Sequence, residues 1–161
     1  MELLPPEDIQ ESTNPIVWRH ATHYVASAGM NGYKVLTDIG DESKVIEHLL
    51  LTTKGRTTGK WRRTVLMFDY HEDTPFVVCT NGGKPDYPDW YKNIQQDGRV
   101  WVQIERDTFW ADCEIISNSN FPELKDYLIA KLDNTYPRYK DFQQMCPDRE
   151  VTVILLKRIS Q

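Results

Sequence analysis

The sequence predicts an α+β fold built around an antiparallel sheet or a small barrel. Several short segments are rich in β-branched and aromatic residues and are separated by turn residues, which is the pattern of strands. Consecutive strands with helical patterns inserted late favour this class over a doubly wound parallel sheet. The predicted strands are 45–53, 62–70, 75–81, 99–106, 108–117 and 150–158.

Apolar residues at helical spacing predict the helices. Residues 6–29 carry such a pattern, with two prolines at the start, an Asn-Pro step at 14–15 as a candidate interruption and a glycine at the end. Residues 87–97 predict a short helix with Pro88 in its first turn and a glycine just after its end. Residues 121–146 predict two helices that are broken near Pro137.

Two linking segments complete the predicted fold. Segment 31–44 bears glycine and aspartate residues and predicts a connection. The link "HEDT" at 71–74 has the length of a hairpin loop. Strands 62–70 and 75–81 should therefore pair antiparallel.

The length of 161 residues and the hydrophobic content of 40% predict one domain over 1–161, with an N-terminal helix in 1–30 and a core in 45–158. The longest apolar runs fall short of the roughly 20 residues of a membrane span, and the N-terminus lacks the order of a signal peptide. These features indicate a cytoplasmic protein. The formal net charge of −5 argues against general affinity for nucleic acid.

The cysteines and histidines indicate neither a disulfide framework nor a metal site. Cys79, Cys113 and Cys146 are odd in number and form no CxxC arrangement. His20 and His23 lie three apart on the predicted N-terminal helix, but no carboxylate partner accompanies them. The sequence also lacks a GxSxG elbow, so a hydrolytic triad is not supported.

A basic stretch, "LTTKGRTTGKWRR" at 51–63, stands out in this acidic chain. It fails as a P-loop, because Gly55 and Gly59 enclose only three residues and Trp61 follows the lysine. The glycines can nevertheless turn backbone N–H groups outward, and the neighbouring hydroxyls and arginines can bind an anion. The alternative is a solvated hairpin whose basic residues pair with the surplus carboxylates.

Two further clusters suggest walls of a binding site. In "CTNGGKPDYPDWYKN" at 79–93, a glycine pair between strand and helix would let backbone approach a flat ligand, and Trp90 offers a stacking face. In "YPRYKDFQ" at 136–143, aromatic residues share a helical face and keep polar tips. The alternatives are an ordinary strand-to-helix turn and an aromatic stripe in the core.

Taken together and in this order, the clusters resemble the deazaflavin-dependent nitroreductase family. The resemblance covers about residues 45–158 and rests on "LLLTTKGRTTGKWRRTVLMF", "VVCTNGGKPDYPDWYKNI", "VWVQI", "YPRYKDFQ" and "REVTVILL". It implies a split β-barrel, similar to that of flavin-binding pyridoxamine oxidases, with an N-terminal helix and peripheral helices.

The resemblance also implies an oxidoreductase of secondary metabolism that uses coenzyme F420, a hydride carrier with a phosphodiester and an acidic polyglutamate tail. Its substrate would be a quinone, a nitroaromatic or an unsaturated metabolite. Catalytic roles would fall to Tyr136, Tyr139 and Thr80, because hydroxyls near a carbonyl or nitro oxygen can stabilise charge or donate a proton. The implied cofactor-binding residues are Arg56, Thr57, Thr58, Arg62, Arg63, Thr64, Val65, Leu66, Met67, Val78, Cys79, Thr80, Asn81, Asp89, Trp90, Tyr91 and Asn93.

The chain departs from the family pattern at positions that bear on the cofactor. Thr57 and Asn81 stand where relatives carry lysine, Tyr87 replaces a histidine and Phe142 replaces a tyrosine. The missing lysines leave alternatives open: FMN as the cofactor, or a cofactor-free cyclisation, rearrangement or elimination on the same fold. A non-catalytic carrier of small molecules is a third alternative. We expect an aromatic or quinone-like small molecule as the partner and leave a homodimer open.

Overall fold

The computed structural model describes residues 4–39 and 42–159, which form eight strands and four helices. The helices are α1 (Pro15–Ala26), α2 (Asp89–Gln96), α3 (Pro122–Thr135) and α4 (Tyr139–Met145), and a 3₁₀ turn covers Asn81–Gly83. The strands are β1 (Lys34–Ile39), β2 (Glu42–Lys54), β3 (Trp61–Met67), β4 (Asp69–His71), β5 (Thr74–Val78), β6 (Arg99–Ile104), β7 (Asp107–Ile116) and β8 (Val153–Arg158). The predicted domain 1–161 and the predicted connection 31–44 extend beyond these two ranges. Their remaining residues lie outside the described part of the chain.

The strands form one curled antiparallel sheet, a split β-barrel, which confirms the predicted α+β class. The strand order is β1-β2-β6-β7-β8-β5-β4, and β3 pairs with β2. Strand β2 is 13 residues long and pairs with β1 over its first half and with β6 over its second. In the register of the sheet, Leu50 of β2 lies opposite Val65 of β3 on one edge and opposite Gln103 of β6 on the other.

Alternation along β2 divides its side chains between two packed faces. Leu49 and Leu51 face the barrel interior and pack with apolar residues of β5 to β8. Leu50 faces the opposite way and packs with Ala21 and Tyr24 of α1. A second apolar cluster fills the space where α3 and α4 cover β5 and β8. Burial of these faces supplies the main driving force for the fold.

The predicted N-terminal helix 6–29 is wrong in its first half. Helix α1 begins at Pro15, because the side-chain oxygen of Asn14 accepts the N–H groups of Ile16 at 3.0 Å and Val17 at 3.4 Å. The described residues before it are not helical, and Ile9 forms a parallel bridge with Trp61 of β3.

The prediction of a connection over 31–44 is wrong where β1 and the start of β2 lie, since β1 pairs with β2 along its whole length. Leu36 lies opposite Val45 in this pairing, and their exposed fractions are 70% and 58%. The hairpin carries apolar residues on both faces, since Ile46 is buried whereas Leu36 and Val45 are exposed, so its sequence lacks the alternation that marks a half-buried strand.

Most other predicted elements are confirmed with shifted ends. The 71–74 link joins β4 and β5 antiparallel, as its length predicted. The predicted strand 62–70 is divided at Phe68, whose side chain turns into the barrel core. Within the described residues, no helix is long and apolar enough to cross a membrane.

Tyr24 joins α1 to the barrel. Its hydroxyl lies 2.9 Å from the carbonyl oxygen of His48 and 3.2 Å from that of Gln103, and it accepts the N–H of Glu105 at 3.1 Å. Burial raises the pKa of Tyr24 to about 12, so the hydroxyl keeps its proton at neutral pH and can donate.

We therefore predict that Tyr24→Phe lowers the free energy of unfolding by about 1–3 kcal/mol, because buried backbone groups lose their partner. Urea denaturation followed by circular dichroism measures this change. Tyr127→Phe is the matched control, since Tyr127 is exposed on α3. The control should change stability by less than about 0.5 kcal/mol. Equal stability of both variants would contradict the assigned role.

Candidate functional site

A cleft of about 310 Å³ lies where the β2–β3 turn, strand β3, helix α2 and the N-terminal segment meet. Its size and its convergent polar groups are typical of a small-molecule site. The lining residues are Gln10, Ser12, Thr13, Val17, Thr53, Gly55, Arg56, Thr57, Thr58, Arg62, Arg63, Thr64, Asp89, Trp90 and Asn93.

The turn between β2 and β3 is closed by its own backbone. The N–H of Gly55 donates to the carbonyl of Lys60 at 2.8 Å, and the N–H of Gly59 donates to Gly55 at 2.9 Å. Gly59 has a φ of +74°, which favours glycine. A Cβ at Gly55 would lie 2.7 Å from the carbonyl oxygen of Lys60, so this close approach also requires glycine. The turn thus holds the side chains of Thr57 and Thr58 at the cleft.

Arg56 joins this turn to α2. Its Nη1 donates to the side-chain oxygen of Asn93 at 2.9 Å, and its Nη2 pairs with Asp89 at 3.1 Å. The backbone N–H of Arg56 also donates to Asn93 at 3.2 Å, and Asn93 in turn donates to the hydroxyl of Thr53 at 3.1 Å. The carboxylate of Asp89 offsets the charge of Arg56, so this arginine orders the cleft more than it adds positive charge to it.

Arg62 and Arg63 supply the free positive charge of the cleft. Among the described residues, no carboxylate oxygen lies within 4.0 Å of either guanidinium. Both residues are half-buried on β3, opposite Thr53 and Thr52 of β2. Burial lowers the pKa of Arg63, but an arginine remains protonated in a protein. An unpaired, partly desolvated arginine pair favours an anionic ligand.

Trp90 forms the aromatic side of the cleft. It is half-buried on the first turn of α2 and meets Tyr91 edge-on, with 6.1 Å between ring centroids. Tyr91 is buried in the barrel core, which fixes the neighbouring indole. The indole lines the cleft and can contact a flat ligand.

The N-terminal segment is the part of the site that the sequence did not reveal. The N–H of Gln10 donates to the carbonyl of Trp61 at 2.8 Å, and the N–H of Trp61 donates to Asp8 at 3.1 Å. These bonds place Gln10, Ser12 and Thr13 along the cleft. A single bridge has no periodicity, so no sequence pattern could have placed this segment there.

The structure brings nine of the residues that the resemblance implied into the cleft lining: Arg56, Thr57, Thr58, Arg62, Arg63, Thr64, Asp89, Trp90 and Asn93. The others lie outside it. Val65, Leu66 and Met67 continue along β3, and Thr80 and Asn81 lie at the turn after β5. Val78, Cys79 and Tyr91 are buried.

The two implied catalytic tyrosines lie at the junction of α3 and α4, outside the cleft lining. Tyr139 is only 6% exposed, and its ring meets Tyr136 at 5.7 Å and Phe142 at 5.5 Å, edge-on in both cases. Burial raises the pKa of Tyr139, so its hydroxyl stays protonated at neutral pH. Tyr136 is half-buried.

Comparisons with known proteins agree with this fold and show the family. The family model of the F420H(2)-dependent quinone reductases matches residues 19–158. An F420H(2)-dependent quinone reductase of Mycobacterium tuberculosis is 29% identical over 115 residues, which are 68% of this chain and 72% of the relative. A putative F420H(2)-dependent quinone reductase of Mycobacterium bovis has the same identity and coverage.

Solved structures show the same architecture. An F420-H2 dependent reductase, FDR-A, has a TM-score of 0.60 and 25% identity, over 68% of this chain and 93% of that one. A domain-swapped dimer has a TM-score of 0.61 and 24% identity, over 86% of this chain and 96% of that one. The family match, which covers most of the chain, identifies a deazaflavin-dependent oxidoreductase. The chain belongs to the F420H(2)-dependent quinone reductase family, and its cofactor is coenzyme F420.

We predict that Asn93→Ala lowers the free energy of unfolding by about 1–3 kcal/mol, because Arg56 and Thr53 lose a buried partner. Thermal and urea unfolding measure the loss. Asn134→Ala, on an exposed position of α3, should leave stability nearly unchanged. A stability equal to that of the parent protein would show that the hydrogen bonds of Asn93 do not hold the turn against α2.

Proposed function

We propose that the cleft binds the anionic tail of F420 and that the chain transfers hydride to a quinone or a similarly conjugated small molecule. The observation that carries this proposal is the unpaired charge of Arg62 and Arg63 at the cleft of an acidic chain. A phosphodiester and carboxylates are the anions that would satisfy both guanidinium groups.

The other lining residues also fit such a tail. Thr57 and Thr58 offer hydroxyl donors at the rim of the turn, and Trp90 offers an apolar face. Asp89 supplies the one carboxylate among the described lining residues. Because it is paired with Arg56, it would repel a bound anion less than an unpaired carboxylate would. The residues present thus suit a ligand that combines phosphate or carboxylate groups with apolar surface.

F420 in its reduced form supplies the hydride when it is bound. The protein's part is to orient the two reactants, exclude water and provide a proton. Of the three residues implied as catalytic, Tyr136 and Thr80 keep partly exposed side chains and can donate from their hydroxyls to an acceptor oxygen. The buried ring of Tyr139 packs edge-on against the ring of Tyr136 and would fix its position.

Two measurements test the proposal. Titration of F420 with the purified protein should change the cofactor's fluorescence in a saturable way. Addition of a naphthoquinone should then oxidise F420H2 at a rate that is proportional to enzyme concentration. Absence of binding up to about 100 μM F420, which corresponds to a binding free energy weaker than about −5.5 kcal/mol, would overturn the proposed site. Binding without quinone turnover would overturn the proposed acceptor alone.

We predict that Arg62→Ala weakens F420 binding by about tenfold, since it removes a charge-assisted contact to the tail. The fluorescence titration measures the change. Arg106→Ala is the control, because Arg106 is exposed at the turn between β6 and β7, outside the cleft lining. Its affinity should equal that of the parent protein. A similar loss in both variants would indicate a general effect of net charge.

We predict the opposite effect for Thr57→Lys, which adds a cation at the rim of the cleft. F420 affinity should rise several-fold at low ionic strength, and the gain should shrink near 1 M salt, where the Debye length is about 3 Å. Thr135→Lys, on an exposed position at the end of α3, adds the same charge outside the cleft lining. A gain that persists in high salt, or that Thr135→Lys reproduces, would argue against a tail contact at position 57.

A further inference from the structure

Arg149 lies just before β8 and holds the turn that follows β5. Arg149 is only 8% exposed although it carries a charge, and charged residues are rarely buried to this extent. Its Nη1 donates to the carbonyl of Cys79 at 3.0 Å, its Nη2 to Thr80 at 2.7 Å and its Nε to Lys84 at 3.0 Å. Three different nitrogen atoms thus bind three carbonyls at the two ends of one turn.

The charge of Arg149 has no acidic partner. Among the residues that the structure describes, no carboxylate oxygen lies within 4.0 Å of its guanidinium. Three carbonyl dipoles and the face of the Tyr87 ring offset this buried charge, and the three carbonyls favour a residue whose donors are spread over a rigid fork. A lysine carries all its donors on one nitrogen and cannot reach carbonyls on both sides of the turn.

The turn held in this way has an uncommon backbone. Asn81, Gly82 and Gly83 have φ values of +46°, +62° and +78°, so three consecutive residues lie in the left-handed region. Asn81 is not a glycine, and such a conformation persists only where surrounding contacts determine it. The contacts from Arg149 at both ends provide that constraint.

A row of aromatic rings links Arg149 to the cleft. Its guanidinium lies 5.1 Å from the ring centroid of Tyr87, within the range of a cation–π contact. Tyr87 stacks on Tyr91 of α2, with centroids 4.8 Å apart and an interplanar angle of 23°. On the same helix, Trp90 and Asn93 line the cleft.

The backbone of Arg149 is fixed to α4. The Nε2 of Gln143 donates to the carbonyl of Arg149 at 2.7 Å, and the Oε1 of Gln143 accepts the N–H of Val151 at 2.8 Å. Arg149 therefore contacts the turn after β5, the start of α2 and the end of α4 at the same time.

We propose that Arg149 is a positioning residue for the cleft. It fixes the 79–84 turn and the ring of Tyr87, and it thereby sets where α2 presents Trp90 and Asn93 to the cofactor. This inference rests on the proposed F420 site. Arg149 itself does not line the cleft.

The test compares Arg149→Gln and Arg149→Lys with Arg99→Gln, whose side chain forms an exposed pair with Asp112. Amide hydrogen exchange of the cofactor-free protein reports on the turn, and the F420 titration reports on the cleft, both below the melting temperature of every variant. Arg149→Gln and Arg149→Lys should raise exchange selectively over 79–87 and weaken F420 binding about tenfold. Arg99→Gln should change neither quantity.

Tyr87→Leu serves as the second variant if the Arg149 variants do not fold, because it removes the ring between Arg149 and Tyr91. It should likewise raise exchange over 79–87 and weaken F420 binding. Faster exchange over the whole chain, or faster exchange over 79–87 with unchanged F420 affinity, would overturn the positioning role. Full F420 affinity in Arg149→Lys would overturn the requirement for a fork of donors. Failure of the parent protein to bind F420 would overturn the proposed function instead, and the exchange data would still report whether Arg149 holds the turn.

Discussion

Strand β2 is the element on which the other parts of the structure depend. It carries antiparallel ladders on both edges, and its two faces enter different packed layers. A shift of its register by one residue would move Leu49 and Leu51 from the barrel interior to the face under α1. The same shift would displace the turn that follows β2. The position of the cleft is therefore a consequence of how β2 packs.

The cleft is assembled from elements that lie far apart in the sequence, and Asn93 joins them. Its amide binds Arg56 and Thr53 at the end of β2, although it belongs to α2. The pairing of Arg56 with Asp89 strengthens this junction. This arrangement separates arginines that look alike in the sequence, because Arg56 is held in an ion pair while no carboxylate oxygen of the described residues lies within 4.0 Å of Arg62 or Arg63.

Buried polar side chains also join separate elements elsewhere in the molecule. Tyr24 binds backbone groups of two strands, and Arg149 binds both ends of one turn. In each case a side chain binds backbone carbonyl groups, and a buried carbonyl without a partner is costly. These contacts determine the relative positions of α1, α2 and α4 around the barrel. Apolar packing alone would specify them less sharply.

The sequence by itself determined the strand-rich core, the hairpin at 71–74, the family and the basic turn at 51–63, because these depend on local pattern and spacing. It could not place β1, whose hairpin leaves Leu36 and Val45 exposed, nor the N-terminal segment, which is joined to β3 through Trp61. Only the tertiary structure decided that Arg56 is paired, since Asp89 is 33 residues away in sequence but in contact with it. Charge pairing is a property of distance in space, and sequence separation does not encode it.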